Sequence, residues 1–158
     1  MNSVIIDTNP LAYIYNAVPG LGNKYALLLG ELAQNNLLLI PKIVYGELSL
    51  IFNNINELDT FLNDTGIVID EINSKSYLIA AKRWQKYNKR RILMCHKCGA
   101  KLENIICKKC DSKIKVRQHI LSDFIIGAYT LEVAGKNIVT GDAGYYSTYF
   151  PELNIISC

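Results

Sequence analysis

The stretch Ser3-Val4-Ile5-Ile6-Asp7-Thr8-Asn9-Pro10 passes from a β-branched apolar run to a helix start with no room for a loop between them. Ser3 to Ile6 read as a short buried strand that ends at Asp7. Asn9 reads as an N-cap with Pro10 at the first helical position, where its missing N–H costs nothing and its fixed φ suits the helix. A strand that turns directly into a helix is the repeating unit of α/β folds, and the chain downstream repeats it.

Apolar residues recur at helical spacing from Tyr25 through Leu28, Leu29 and Leu32, until Asn35-Asn36 breaks the pattern. Leu37 to Ile40 form the next strand, and Pro41 starts a helix in which Glu47 lies less than two turns from the strand end. Helical residues continue through Phe61 and Leu62 with an interruption at Asn53-Asn54, and Gly66 precedes a strand at Ile67 to Ile69. The spacing predicts a long helix over 74–91 with a core stripe of Tyr77, Ala80, Trp84 and Tyr87. Asp123 opens a helix that is apolar on nearly every side from Phe124 to Tyr129, hence central and buried, and Gly135 ends it. Ile138 to Thr140 and Asn154 to Ile156 are the last strands. This alternation predicts an α/β three-layer fold with a central, mainly parallel sheet.

Half of the 158 residues are apolar, enough for a full core, so 1–158 reads as one domain carrying a small insertion at 92–117. No run approaches the roughly 18 apolar residues of a membrane span, and the N-terminus lacks a basic segment followed by a long apolar one. A cytoplasmic location with no membrane partner is therefore expected. The cysteines agree, because four of the five fall in a metal-ligand pattern that an oxidising compartment would endanger. Cys158 is left over and reads as an idle, exposed thiol.

That pattern is Cys95-His-Lys-Cys98 and Cys107-Lys-Lys-Cys110, two C-x-x-C turns eight residues apart. Four soft thiolates fit tetrahedral Zn2+ and leave no open position, so the metal would be structural and the chemistry would lie elsewhere. Chance pairs or a disulfide framework are the alternatives. His96 stands inside the first turn, but the cysteines already complete the site, which leaves it a solvent or ligand contact. Charge makes the insertion more telling. Between Lys82 and Arg117 there are thirteen Lys or Arg against Glu103 and Asp111, whereas the rest of the chain holds four basic and twelve acidic residues. Such asymmetry favours a polyanion, nucleic acid above all, held by Arg90, Arg91, Lys97, Lys101, Lys108, Lys109, Lys113, Lys115 and Arg117. A lysine-rich solvated surface is the plain alternative; an acidic membrane is disfavoured because the segment lacks an apolar face.

In parallel sheets the active crevice lies at the carboxyl ends of the strands. Asp7 ends the first predicted strand, Glu47 follows the second, Asp142 lies two residues past Thr140, and Asp123 opens the helix before that strand. Each acid alone is a helix cap or a surface charge, but four at strand ends or helix starts imply convergence. Clustered carboxylates repel unless a cation joins them. Oxygen ligands select Mg2+ or Mn2+, which suit phosphodiester hydrolysis.

The segments Ile5-Ile-Asp-Thr-Asn9, Pro41-Lys-Ile-Val-Tyr-Gly-Glu-Leu48, Ser122-Asp-Phe-Ile-Ile-Gly-Ala128 and Val139-Thr-Gly-Asp142 resemble the four signature segments of PIN domains, which are metal-dependent ribonucleases. The resemblance spans almost the whole chain apart from the insertion. It implies a PIN-like fold, Asp7, Glu47, Asp123 and Asp142 as Mg2+ or Mn2+ ligands, and Thr8 or Asn9 with Thr140 as polar residues orienting water or the acids. RNA becomes the expected partner, and the endoribonuclease is either of VapC toxin type, with an antitoxin protein as a further partner, or an RNA-processing enzyme. A homodimer is expected from the same resemblance. The chain departs from the family at Ser122, where proline or alanine is common and serine should cap the helix. It departs again in placing the cysteine pairs inside the body; in ribosomal RNA maturation nucleases the ribbon usually follows the nuclease domain. A non-catalytic RNA-binding module is the rival reading. His119 is expected to pack or face solvent, and Tyr145, Tyr146 and Tyr149 to stack on bases or to fill a half-buried turn.

Overall fold

The computed structural model describes residues 2–90, 93–102, 106–111 and 120–158, with only the main chain of Arg90, Leu93 and Leu102. Arg91, Lys113, Lys115, Arg117, His119 and the two ends of the expected insertion lie outside the described residues, as does the side chain of Arg90.

In chain order the elements are β1 (Asn2–Ile6), α1 (Thr8–Tyr15), α2 (Gly22–Ala33), β2 (Asn36–Pro41), α3 (Lys42–Leu48), α4 (Ile55–Thr65), β3 (Val68–Asp70), α5 (Ser74–Arg90), β4 (Leu93–Met94), β5 (Lys101–Leu102), α6 (Leu121–Glu132), β6 (Asn137–Val139), α7 (Ala143–Tyr149) and β7 (Asn154–Ile156). Five strands form one parallel sheet in the order β3-β2-β1-β6-β7. Ile5 lies opposite Leu39 on one side and Ile138 on the other, and Val4, Ile5 and Ile6 are buried. A strand buried on both faces needs this unbroken apolar run. The α/β fold with a parallel sheet flanked by helices is the one the sequence predicts.

Strands are added outward from β1 to β2 and β3, after which the chain returns across β1 to β6 and β7. The order reverses between β1 and β6, and beyond the carboxyl ends of two such strands the loops diverge to leave a crevice. Asp7 follows β1 and Thr140 follows β6, so both stand at this switch point.

Three local expectations are corrected. Helix α1 begins at Thr8, not after Asn9, because Asp7 is its N-cap and accepts the Thr8 N–H at 2.8 Å. Pro10 is tolerated one residue pair further on, since first-turn N–H groups have no intrahelical acceptor. Asp123 sits within the first turn of α6 and not at its opening; its carboxylate accepts the Ile120 N–H at 2.8 Å and caps the helix backwards. Ser122 is therefore not the cap, and its buried Oγ has no hydrogen-bond partner among the described residues. On α5 the inward stripe is Ser76, Ala80, Trp84 and Tyr87, with Tyr77 rotated off it and 47% exposed. Ser76 holds the stripe's first place because Asn73 binds both its N–H and its hydroxyl.

Helix α6 is buried from Phe124 to Thr130, as its composition demands. Gly127 lets the buried Phe150 ring lie against it: a Cβ there would stand 2.5 Å from the ring. Phe124, Tyr145, Tyr149, Phe150 and Tyr87 form a continuous aromatic cluster around this contact. Arg83 of α5 closes it, with its guanidinium 4.6 Å above the Phe150 ring and bonds to Glu152 and to the Tyr149 carbonyl. Helices α5 and α6, which precede and follow the insertion in the chain, pack against each other.

Candidate functional site

Asp7 is only 7% exposed. Its Oδ1 caps α1, its Oδ2 accepts the Thr140 hydroxyl at 2.7 Å, and its N–H donates to the Val139 carbonyl at 2.9 Å, which ties the end of β1 to the end of β6. Thr140 is itself buried and accepts the Asp142 N–H at 3.0 Å, linking the first and last acids through one hydroxyl. Asp142 caps α7 by accepting the Tyr145 N–H. Thr8 makes the other link, since its N–H goes to Asp7 and its hydroxyl to the Glu47 carboxylate. Asp7 and Asp142, which follow β1 and β6, and Glu47 of α3 are thus joined at the carboxyl end of the sheet, and Asp123 of α6 is near enough for its charge to act on Asp7.

Burial pushes the Asp7 carboxyl up to about 7, against the pull of its bonds to Thr140 and Thr8, and the nearby acids Asp123 and Glu47 push it further the same way. Among the described residues, the charged groups acting on it, Asp123 and Glu47, are negative. Tyr145 and Tyr146 are buried beneath the site and raised by burial, with Asp7, Asp123 and Asp142 adding to the effect. These two tyrosines are therefore floor and packing; they are not free to stack on bases. Tyr149 is half-buried in the same cluster.

Two residues escape the sequence reading. Tyr13 of α1 lies against Gly141, where a Cβ would come within 3.0 Å of its ring, and its hydroxyl is raised first by burial and then by Tyr25, Asp7 and Asp142. Its signal was the spacing of one helical turn from Asn9, which a Cβ at Gly141 would also touch at 3.4 Å. Tyr25 of α2 donates to the Thr140 carbonyl at 3.0 Å from 115 residues away, for which no local signal exists.

As the side chains stand, no three His, Cys, Asp or Glu among the described residues converge closely enough to hold a metal. This holds for the four acids and for the four cysteines. The chemistry of the acids nevertheless fits a hard divalent cation, because the charged groups that act on the buried Asp7 carboxylate among the described residues are acidic.

In the insertion, β4 and β5 pair antiparallel around the first cysteine turn. Both C-x-x-C turns have the same backbone: Gly99 N–H donates to the Cys95 carbonyl at 2.8 Å and Asp111 N–H to the Cys107 carbonyl at 2.9 Å, with φ of +73° and +55° at the donors. Main-chain N–H groups of Cys98 and Lys97 lower the Cys95 thiol, as a turn built to hold a thiolate would. Lys97, Lys101, Lys108 and Lys109 are exposed. A cavity of about 490 Å³ between α5, the β4–β5 ladder and α7 is lined by Lys86, Lys101, Met94 and Tyr149, and by none of the four acids.

A comparison with protein families matched none, and a comparison with curated proteins found no relative. Among solved structures the chain is similar to one in the crystal structure of VapBC2 from Rickettsia felis bound to a DNA fragment from their promoter, with TM-score 0.62, 18% identity and 98% and 97% of the two chains covered. It is also similar to one in the structure of FitAcB from Neisseria gonorrhoeae, with TM-score 0.58, 14% identity and 97% and 96% coverage. At such identities the likeness carries the fold, end to end, and the site rests on its own residues. No described helix is long and apolar enough to cross a membrane.

Proposed function

We propose that this chain is a metal-dependent endoribonuclease, of toxin or RNA-processing type, that hydrolyses phosphodiester bonds at Asp7, Glu47, Asp123 and Asp142. The observation that carries the reading is Asp7 itself, a buried carboxylate at the switch point of a parallel sheet whose charged neighbours are acidic. Asp7, Glu47, Asp123 and Asp142 would hold Mg2+ or Mn2+, which would supply charge neutralisation at the phosphate and activate water. The chain's own residues do the positioning. Thr140 and the α1 N-terminus fix both oxygens of Asp7, and Thr8 aims Glu47. Asn9 and Tyr13 stand at the same edge as polar groups for water or substrate.

Cys95, Cys98, Cys107 and Cys110 would hold one structural Zn2+, a reading supported by the matching geometry of the two turns. Exposed Lys97, Lys101, Lys108 and Lys109 then grip RNA phosphates. The fold shared with chains of the VapBC2 and FitAcB complexes supports the toxin type and, with it, an antitoxin protein as partner. A homodimer is part of the same proposal, and light scattering that finds a strict monomer at high concentration removes it.

Cleavage of a panel of structured and unstructured RNAs, with Mn2+, Mg2+ or chelator, tests the activity. Metal-dependent cutting supports it. The rival reading is a non-catalytic RNA-binding module in which the acids serve the fold; the presence of all four acids supports the enzyme over it. RNA that binds tightly but stays intact under Mn2+ decides for the rival.

A further inference from the structure

The insertion is not independent of the carboxylate site. Gly144, two residues past Asp142, donates its N–H to the His96 carbonyl at 3.0 Å, inside the first cysteine turn. The contact is as close as two backbones allow: a Cβ on Gly144 would stand 2.5 Å from the Gly99 nitrogen, 2.7 Å from the Cys95 carbonyl oxygen and 2.9 Å from that of His96. Seen from the other side, a Cβ on Gly99 would touch the Gly144 carbonyl and the Thr148 hydroxyl, both at 3.4 Å. These three nearest atoms are all main chain, so no side-chain rotation relieves a larger residue there.

We propose that the turn Cys95–Gly99 is a positioning element of the carboxylate site, holding α7 and with it Asp142 in place through the His96 carbonyl and Gly144. Asp142 caps α7, so a tilt of that helix carries the carboxylate with it. As part of the same proposal, Cys95 and Cys98 held together would keep the turn in shape beside its main-chain bonds, and the state of the cysteines would then act on the acids. This inference rests on the nuclease reading for its effect on rate, though not for its effect on geometry.

Gly144→Ala and the pair Cys95→Ser/Cys98→Ser test it in the full chain, with Gly30→Ala, a helical glycine whose Cβ meets nothing within 4 Å, as control. Three quantities are read: exchange protection of the residue-144 amide, Mn2+ affinity by calorimetry, and kcat against KM on RNA. Both variants are expected to expose that amide, weaken Mn2+ binding and lower kcat by about 100-fold with KM little changed, the cost of roughly 1 Å of misplacement. Combined, the two changes should cost no more than either alone, because both remove the same contact. Full kcat and unchanged Mn2+ affinity in a variant whose amide has lost protection overturn the positioning role, as does protection that never falls. Where the wild-type chain cuts no RNA, the nuclease reading fails separately. Mn2+ affinity then decides alone: weakened in the variants it upholds the inference, unchanged it overturns it.

Discussion

Asp7 is where burial and hydrogen bonding pull in opposite directions. Its carboxyl ordinarily titrates near 3.8 and is held at about 7 in the folded chain. With the folded value above the unfolded one, the folded state keeps a proton that the unfolded state gives up, so the penalty is absent below about pH 4, grows as pH rises to 7 and is complete above it. At about 1.4 kcal/mol per pKa unit, ionised Asp7 costs the metal-free protein up to roughly 4 kcal/mol. Asp7→Asn should therefore melt higher than the wild type at pH 7.5 in chelator, with the gap closing by pH 4, while Mn2+ should raise the wild type more than the variant. Thermal melts across pH read this directly, and a variant that melts lower at pH 7.5 would show that the hydrogen bonds to Thr140 and Thr8 outweigh burial. Asp7 was legible in the sequence because it ends an apolar run. Tyr25 was not, since what makes it part of the site is contact across the fold, and Tyr13 left only its spacing of one helical turn from Asn9.

Among the elements, α6 shows how much a composition can dictate. Seven consecutive buried residues leave no solvated face, and the sequence marks the helix as central for that reason. What it does not show is that Gly127 is the point where α6 admits Phe150. Gly127→Ala should destabilise by about 1–3 kcal/mol through overpacking, although alanine is the better helix former. Gly30→Ala, with no neighbour within 4 Å of its Cβ, should instead stabilise by up to about 1 kcal/mol. Urea unfolding of the two variants separates packing from propensity, and equal signs would contradict the contact at Phe150. Capping was the least legible feature. Asn9-Pro10 carries a strong helix-start pattern, yet Asp7 wins because its carboxylate already faces the first free N–H. The stripe of α5 was read one residue late at its start, since a polar Ser76 held by Asn73 fills the place where periodicity expects an apolar residue.

At the scale of the whole molecule, thirteen basic residues fall between Lys82 and Arg117 and twelve of the fourteen acids fall elsewhere, so the charge is strongly dipolar. The parallel sheet follows from strand and helix alternation; its strand order and the seat of the first cysteine turn on α7 do not, because pairing across the fold and a main-chain bond from Gly144 to His96 leave no trace in composition or spacing. If the insertion grips phosphates, changing Lys97, Lys101, Lys108 and Lys109 to Gln should weaken RNA binding about equally across sequences. It should also reduce the salt slope by about 0.7 for each lost contact to a single strand. Fluorescence titrations at several salt concentrations check this, and an unchanged slope would move the RNA path away from the insertion. The central claim is that four carboxylates at the β1/β6 switch point hydrolyse RNA with a divalent cation. It is tested most directly by the single-turnover cleavage rate against Mn2+ concentration for the wild type, Glu47→Gln, Asp123→Asn and Asp142→Asn. The rate should saturate with Mn2+ in the wild type, vanish in chelator and fall by several orders of magnitude in each variant with the fold intact; cleavage that survives chelator, or variants that cut at the wild-type rate, would rule out metal-dependent hydrolysis at these acids.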